Sequence, residues 1–425
     1  MKKIWLILFA FSALSPATFA VPPDHAIYIF LNRAPGQGMN QANPESINCA
    51  TFEEITGSFI QQSDSKIKVG VSFIFSPFRT DPEKTVASLN NFLRSAEELS
   101  VPVMIQFDFE HWWGARPDLW NWWDPSLPGY HSDNRENVEW THWSSDYAIK
   151  ISWRNWGRQI RVLPPPNLAS PRYMDACREQ MQLLMPIITK WYAALPEDKK
   201  QIFVAVKVGH ESSLGVNAYY YPNGNEFLDK PESDDPKTGL VEKDVLSRGV
   251  QQIGYATIKT AGIRTGGDIT EWDLYEATRR YLEFLSRETS QYGIPREKLF
   301  THGAGWSDGE LLYDAAINDY SCPGWSFYAH AKDPMKEPAV KRGLARSDAP
   351  YWGAVEWLLM EGMSSASQTQ YGAASETETI WKSALKNTLL DPRARLVCIF
   401  NWESIRNNHA AKRAIQQFID EEKTL

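Results

Sequence analysis

Two glutamates stand where an acid is expensive unless it has work or a partner. Glu211 ends the apolar run IFVAVKVGHE (202–211), and Glu356 lies inside YWGAVEW (351–357). A carboxylate among apolar neighbours costs free energy unless it is paired or functional. Two such groups facing one cavity can divide the labour of a hydrolysis. One protonates a leaving oxygen, while the other attacks carbon or activates water. The charge of one raises the pKa of the other and keeps it protonated near neutral pH. The plainer alternatives are a surface acid at a strand–loop junction for Glu211 and a buried ion pair for Glu356.

The run PVMIQFDFE (102–110) adds Gln106, Asp108 and Glu110 with one parity, followed by His111, Trp112 and Trp113. Asp108 is expected to bind substrate hydroxyls or to pair with Lys207, and Glu110 is a rival catalytic carboxylate. Lys207 shares its parity with Ala205, Gly209 and Glu211, whereas Val204, Val206 and Val208 have the other and suit a helix-facing side. His210, His302, Trp306, Tyr328 and Trp402 complete the candidate substrate contacts. Glu403 either joins them or opens the last helix, where an acid suits the positive dipole end. His111, His210, His302 and His330 come from different runs, without an HxH or HExxH pair. No catalytic metal and no other cofactor is expected.

The elements that position these residues are eight apolar runs: 26–32, 66–75, 102–110, 202–211, 298–306, 324–330, 351–357 and 395–403. Helical patterns fill the spaces at 51–62, 82–99, 172–195, 271–292, 308–318, 336–346, 374–389 and 404–422. Continuous apolar strands alternating with helices indicate a parallel sheet covered on both faces. Eight units predict an α/β fold, a (β/α)8 TIM barrel with a single catalytic domain over 21–425. Long insertions follow the third strand (about 111–171) and the fourth (about 212–270), at the barrel end where active sites form. A doubly wound open sheet is the other architecture weighed, but no GxGxxG or GxxxxGK[ST] follows any strand.

A Glu ending strand four and a Glu ending strand seven resemble the arrangement of the clan-A (β/α)8 retaining glycoside hydrolases. The resemblance is architectural and covers most of the chain. It implies that Glu211 is the general acid/base and Glu356 the nucleophile, with a carbohydrate as substrate. That clan usually carries Asn-Glu at strand four, and this chain has His210-Glu211. Inverting β-amylase-type barrels use glutamates near the same strands, so retention and inversion both stay open. A carbohydrate-binding barrel without turnover and a metal-dependent hydrolase are the competing classes.

The aromatic distribution points the same way. Nine of 18 Trp fall between residues 112 and 156. Indoles match the apolar faces of sugars, but such a loop can also pack a core of its own. Trp112, Trp113 and Trp122 are the expected exposed platforms. Arg154, Arg158, Arg161 and Arg172 suit an acidic glycan, or they pair with Asp133, Glu136 and Glu139 in the same insertion.

The 425 residues carry 44 Lys and Arg against 52 Asp and Glu, a net charge of -8. That balance argues against nucleic acid as the main partner. Lys2, Lys3, the apolar run 4–14 and small residues Thr18 and Ala20 read as a secretory signal cleaved after Ala20. A secreted or periplasmic protein is expected, with no membrane association after cleavage. Cys49, Cys177, Cys322 and Cys398 lie far apart, as buried thiols or as one disulfide. Sugar identity and oligomeric state are not legible.

Overall fold

Every one of the eight apolar runs forms a strand, and the strands close in chain order into a parallel barrel. They are β1 Ile27–Arg33, β2 Ile67–Phe75, β3 Val103–Phe107, β4 Phe203–Ser212, β5 Leu299–Gly303, β6 Gly324–Phe327, β7 Trp352–Trp357 and β8 Ala394–Phe400. Closure is made by β1, which pairs with β2 on one side and β8 on the other. The computed structural model describes residues 25–61, 65–150, 152–155, 159–214, 252–304, 309–328, 330–359, 377–389 and 391–421. The leader 1–20, Trp306 and the polar stretch 230–239 lie outside the described residues.

Among the described residues the longer helices are α1 Cys49–Thr56, α2 Pro82–Leu99, α3 Pro171–Ala194, α4 Glu271–Ser290, α5 Pro338–Arg346, α6 Glu378–Leu389 and α7 His409–Glu421. Local chemistry sets where they begin. Asn48 and Thr270 form capping boxes with Thr51 and Asp273, satisfying orphan backbone donors of α1 and α4. Proline opens α2, α3 and α5, where its missing N–H costs nothing. The helix expected over 308–318 is a 3-10 helix, Leu311–Ala316. The one expected over 404–422 splits into a single turn, Trp402–Ile405, and α7, because Asn401 and Asn408 each cap a separate start.

The core has two layers. Phe75, Leu89, Phe92 and Met181 belong to the layer between strands and helices. Tyr28, Phe30, Met104, Ala205, Phe300, Val355 and Leu396 fill the barrel interior. Each large side chain removed from water contributes about 1.5–3 kcal/mol. Val204 departs from its expected outward side and joins the interior. The register of β4 on β3 slips there, from Val103 opposite Phe203 to Met104 opposite Ala205.

The insertion after β3 joins the outer layer of the core through Trp113, Leu119, Trp120, Val138 and Leu168. It includes a short antiparallel hairpin, Ser152–Asn155 with Gln159–Val162. The indole N–H of Trp113 donates to Pro164 O at 3.0 Å, that of Trp120 to Trp113 O at 3.0 Å and that of Trp140 to Arg135 O at 2.8 Å. Buried Glu139 accepts from the backbone N–H groups of Gly254 and Thr257 and so ties this insertion to the next one.

Candidate active site

Strict alternation would point His210 away from Lys207, and it would separate Glu356 from the barrel interior that Val355 enters. Irregularities in two strands override it. In β4 the register on β5 runs from Val208 opposite Thr301 to Ser212 opposite Gly303, four residues against two. Gly209 takes φ 80° and Glu211 takes φ 51°. A Cβ on Gly209 would come within 2.7 Å of both Leu282 Cδ2 and Ser212 Oγ, so glycine is required twice over. Glu211 has no such exemption, and a left-handed backbone at a non-glycine residue costs roughly 1–3 kcal/mol. Such strain gathers at functional sites.

In β7 the register on β6 passes from Ala354 opposite Trp325 to Glu356 opposite Ser326. Val355 is the extra residue, and it packs in the interior. Beyond it, Glu356 is 4% exposed and takes part in the network at the mouth. A bulge re-aims one side chain at the expense of a ladder bond, and here both glutamates depend on one.

Lys207 lies between them, fully buried. Its Nζ is 2.9 Å from His210 Nδ1 and 2.7 Å from His302 Nδ1. His302 Nε2 is 2.7 Å from Ser326 Oγ, and the Ser326 hydroxyl donates to Glu211 Oε1 at 2.7 Å. On the other side His210 Nε2 is 3.8 Å from Glu356 Oε2, and the Tyr328 hydroxyl donates to Glu356 Oε1. The His210 ring meets those of His111 and His302 edge to face, at 5.3 and 5.0 Å.

The electrostatics follow from burial. Desolvation and the Glu211 charge push the Glu356 carboxyl up to about 8, with Lys207 and Tyr328 pulling the other way. Desolvation brings Lys207 down to about 8, against the raising effect of Glu356, Asp108, Cys398 and Glu211. Burial and the Lys207 charge hold His302 well below its ordinary value. A carboxylate whose neighbour is also an acid holds its proton to higher pH, which is the sense of the Glu356 shift.

Asp108 and Glu110 shape the loop that frames this site. Asp108 Oδ1 accepts from the backbone N–H of Glu110 at 2.9 Å and of His111 at 3.0 Å, and lies 3.1 Å from His111 Nδ1. Burial alone would raise its carboxyl, but the His111 charge and these bonds hold it well below the carboxylate range. The expected Asp108–Lys207 ion pair is replaced by the two imidazoles on Lys207. Glu110 accepts from the Ser212 hydroxyl and, at 3.4 Å, from the His210 N–H. It therefore braces the bulge that carries Glu211.

The aromatic expectations need correction. Trp113 is 1% exposed and packs edge to face on Tyr173, so it is no platform. Trp402 is also 1% exposed and turns away from the mouth, because the turn opening at Asn401 sends its indole N–H to Glu54. Trp112 and Trp122 are half-buried. The Arg79 guanidinium lies 5.1 Å from the Trp112 ring centre, and the Trp122 indole donates to Ile149 O. Glu403 stands in the first turn after Asn401 and pairs with Arg33 at 2.9 Å. Arg172 bonds Asn134 and Asp118 O instead of the expected acids. The side chains of Arg154, Arg158 and Arg161 lie outside the description. His330 lies 3.4 Å from Glu337. All four cysteines are free thiols. Ser326 escaped the sequence reading; its only signal was its place in the sixth apolar run, beside Tyr328.

Two sets of side chains bring potential metal-ligand atoms within 4.8 Å of one another: Asp108, His111 and His210, and His210, His302 and Glu356. Both contain His210, whose Nδ1 already faces the Lys207 ammonium, as does that of His302. A metal cation there would meet a buried positive charge. The donors fit a hydrogen-bonded acid–imidazole cluster, and no metal is assigned to them.

No protein-family model and no curated protein matches the chain. Solved structures with a similar course exist at low identity. The catalytic domain of a Bacillus sp. JAMB-750 GH26 endo-β-1,4-mannanase is 10% identical, with 94% of this chain and 86% of that one covered and a TM-score of 0.45. A GH5_18 protein from Bifidobacterium longum subsp. longum, solved with Manβ1-4GlcNAc, is 8% identical over 94% and 79%, with a TM-score of 0.48. The agarase AgWH50C is 11% identical over 78% of this chain, with a TM-score of 0.40. The chain spans 46% of the length of that agarase and of an exo-β-agarase. These are likenesses of fold, and the closed eight-stranded parallel barrel is a (β/α)8 barrel on its own topology.

Proposed function

We propose that the protein is a glycoside hydrolase that works by retaining double displacement, with Glu211 as general acid/base and Glu356 as nucleophile. The observation that carries the reading is a pair of buried carboxyls at the C-terminal ends of β4 and β7, near enough that the Glu211 charge raises Glu356. The Tyr328 hydroxyl and the His210 Nε2 edge are both turned to Glu356. Tyr328 and Lys207 favour its charged form without offsetting burial and the Glu211 charge, so the mechanism requires the proton to pass to Glu211 once substrate is bound.

In the first step a Glu356 oxygen forms a bond to the anomeric carbon. The bond from that carbon to the leaving oxygen breaks, and the leaving oxygen takes the Glu211 proton. In the second step Glu211 removes a proton from water, whose oxygen attacks the same carbon and releases Glu356. This mechanism requires the two carboxyls to stand about 5–5.5 Å apart, the spacing of retaining enzymes. A leader over 1–20 would export the enzyme to the periplasm or the medium, where polysaccharides are met.

The test is sugar release by the purified protein from parallel panels of aryl glycosides and natural glycans, with the product anomer followed by proton NMR. Cleavage with retained configuration is expected. Cleavage with inversion would overturn the double displacement, and binding without cleavage would favour a carbohydrate-binding barrel.

A further inference from the structure

We propose that Lys207 is a positioning residue that fixes the hydrogen-bond polarity at Glu211 through His302 and Ser326, and that turns the N–H edge of His210 toward Glu356. This rests on the glycosidase reading for its catalytic meaning, but its geometry stands without it.

An ammonium has three donors and no acceptor. The two Nδ1 atoms at 2.9 and 2.7 Å must therefore accept from it. A neutral imidazole that accepts at Nδ1 carries its hydrogen on Nε2. His302 then donates from Nε2 to Ser326 Oγ. With its oxygen occupied as acceptor, the Ser326 hydroxyl turns its own hydrogen to Glu211 Oε1. One cation so dictates four successive orientations. The acid proton of Glu211 is confined to Oε2, because Oε1 is receiving a hydrogen bond. The second arm leaves His210 with an N–H edge toward Glu356 Oε2 at 3.8 Å. A bound sugar would find Glu356 held at Oε1 by the Tyr328 hydroxyl on one side, and Glu211 with Oε2 as the oxygen that can carry a proton on the other.

The surroundings are consistent with a charged lysine held for this purpose. Glu356 from β7, Asp108 after β3, Cys398 from β8 and Glu211 from β4 all face it and favour the ammonium over the amine. His302 is kept neutral by burial and by that ammonium. A lysine serving only to neutralise buried acids would contact a carboxylate directly. This one reaches both imidazoles instead.

The experiment is long-range 15N–1H correlation of the full chain labelled at histidine, at pH 7 and without substrate. His210 and His302 are assigned with His210→Gln and His302→Gln. Both should show the neutral signature with the hydrogen on Nε2. Lys207→Met should give each ring a measurable population with the hydrogen on Nδ1, and Ser326→Ala should leave the His210 signature intact. A charged ring, or an Nδ1–H tautomer at either histidine in the wild type, would overturn the proposal even if Lys207→Met fails to fold. Unchanged tautomers in a folded Lys207→Met would overturn it too. These spectra need no substrate. A wild type with the expected tautomers that cleaves no glycoside therefore refutes the glycosidase reading while leaving the polarity intact.

Discussion

Lys207 Nζ lies 2.9 Å from His210 Nδ1, three residues further along the same strand. In a regular strand an odd spacing puts side chains on opposite faces. Here the bulge in β4, with Gly209 at φ 80° and Glu211 at φ 51°, turns both into the barrel. The site is therefore built by departures from strand regularity, and those departures are the places to test it.

Gly209→Ala should weaken both fold and site. The new Cβ would need a left-handed backbone and would press on Leu282 and Ser212. A loss of about 1–3 kcal/mol in urea unfolding is expected from the backbone alone, with a fall in kcat as His210 and Glu211 shift. Unchanged stability and turnover would mean that the bulge is not demanded by this glycine.

Activity should fall as pH rises through about 8, because burial and the Glu211 charge raise Glu356 to that region and the proposed mechanism needs one proton between the two. Above it the pair loses the proton that Glu211 must deliver. A profile of kcat/KM against pH should descend about tenfold per unit there. Full activity sustained to pH 10 would contradict the shared proton.

Asp108→Asn tests the loop after β3. The Asp108 carboxyl is held below its unfolded value, so its contribution to stability is present above about pH 4 and lost as pH falls through the folded value. The variant should be less stable at pH 7 by about 1–3 kcal/mol and should lose part of the wild type's acid-side slope. Denaturant melts at several pH values decide this. An identical slope in both proteins would remove Asp108 as the brace.

Cys177, Cys322 and Cys398 are buried, and burial raises the last two to about 12. An aromatic disulfide reagent should modify only half-exposed Cys49 in the native protein and all four thiols in denaturant. A count of two in denaturant would reveal a disulfide.

Much of this was legible in the sequence because a buried parallel strand is a continuous apolar run, and eight such runs separated by amphipathic helices have few ways to close. Glu211, Glu356, Lys207 and Tyr328 could be named because polar groups stand out at the ends of those runs. What period-two reasoning could not supply was the bulges. It placed Val204 outside the barrel and gave His210 no reason to meet Lys207. Nor could it tell a half-buried Trp from one built into the core, since Trp112 and Trp113 are adjacent and of one type. Trp402 was misplaced because a helical turn begins at Asn401, one residue before it.

The most direct measurement compares turnover of the best glycoside found for the wild type with that of Glu211→Gln and Glu356→Gln, each shown to be folded. The account predicts that both variants lose at least about 10²–10⁴-fold in kcat, the usual contribution of a positioned acid or base. Either variant turning over at the wild-type rate would contradict it and move the chemistry to another carboxylate, with Glu110 first in line.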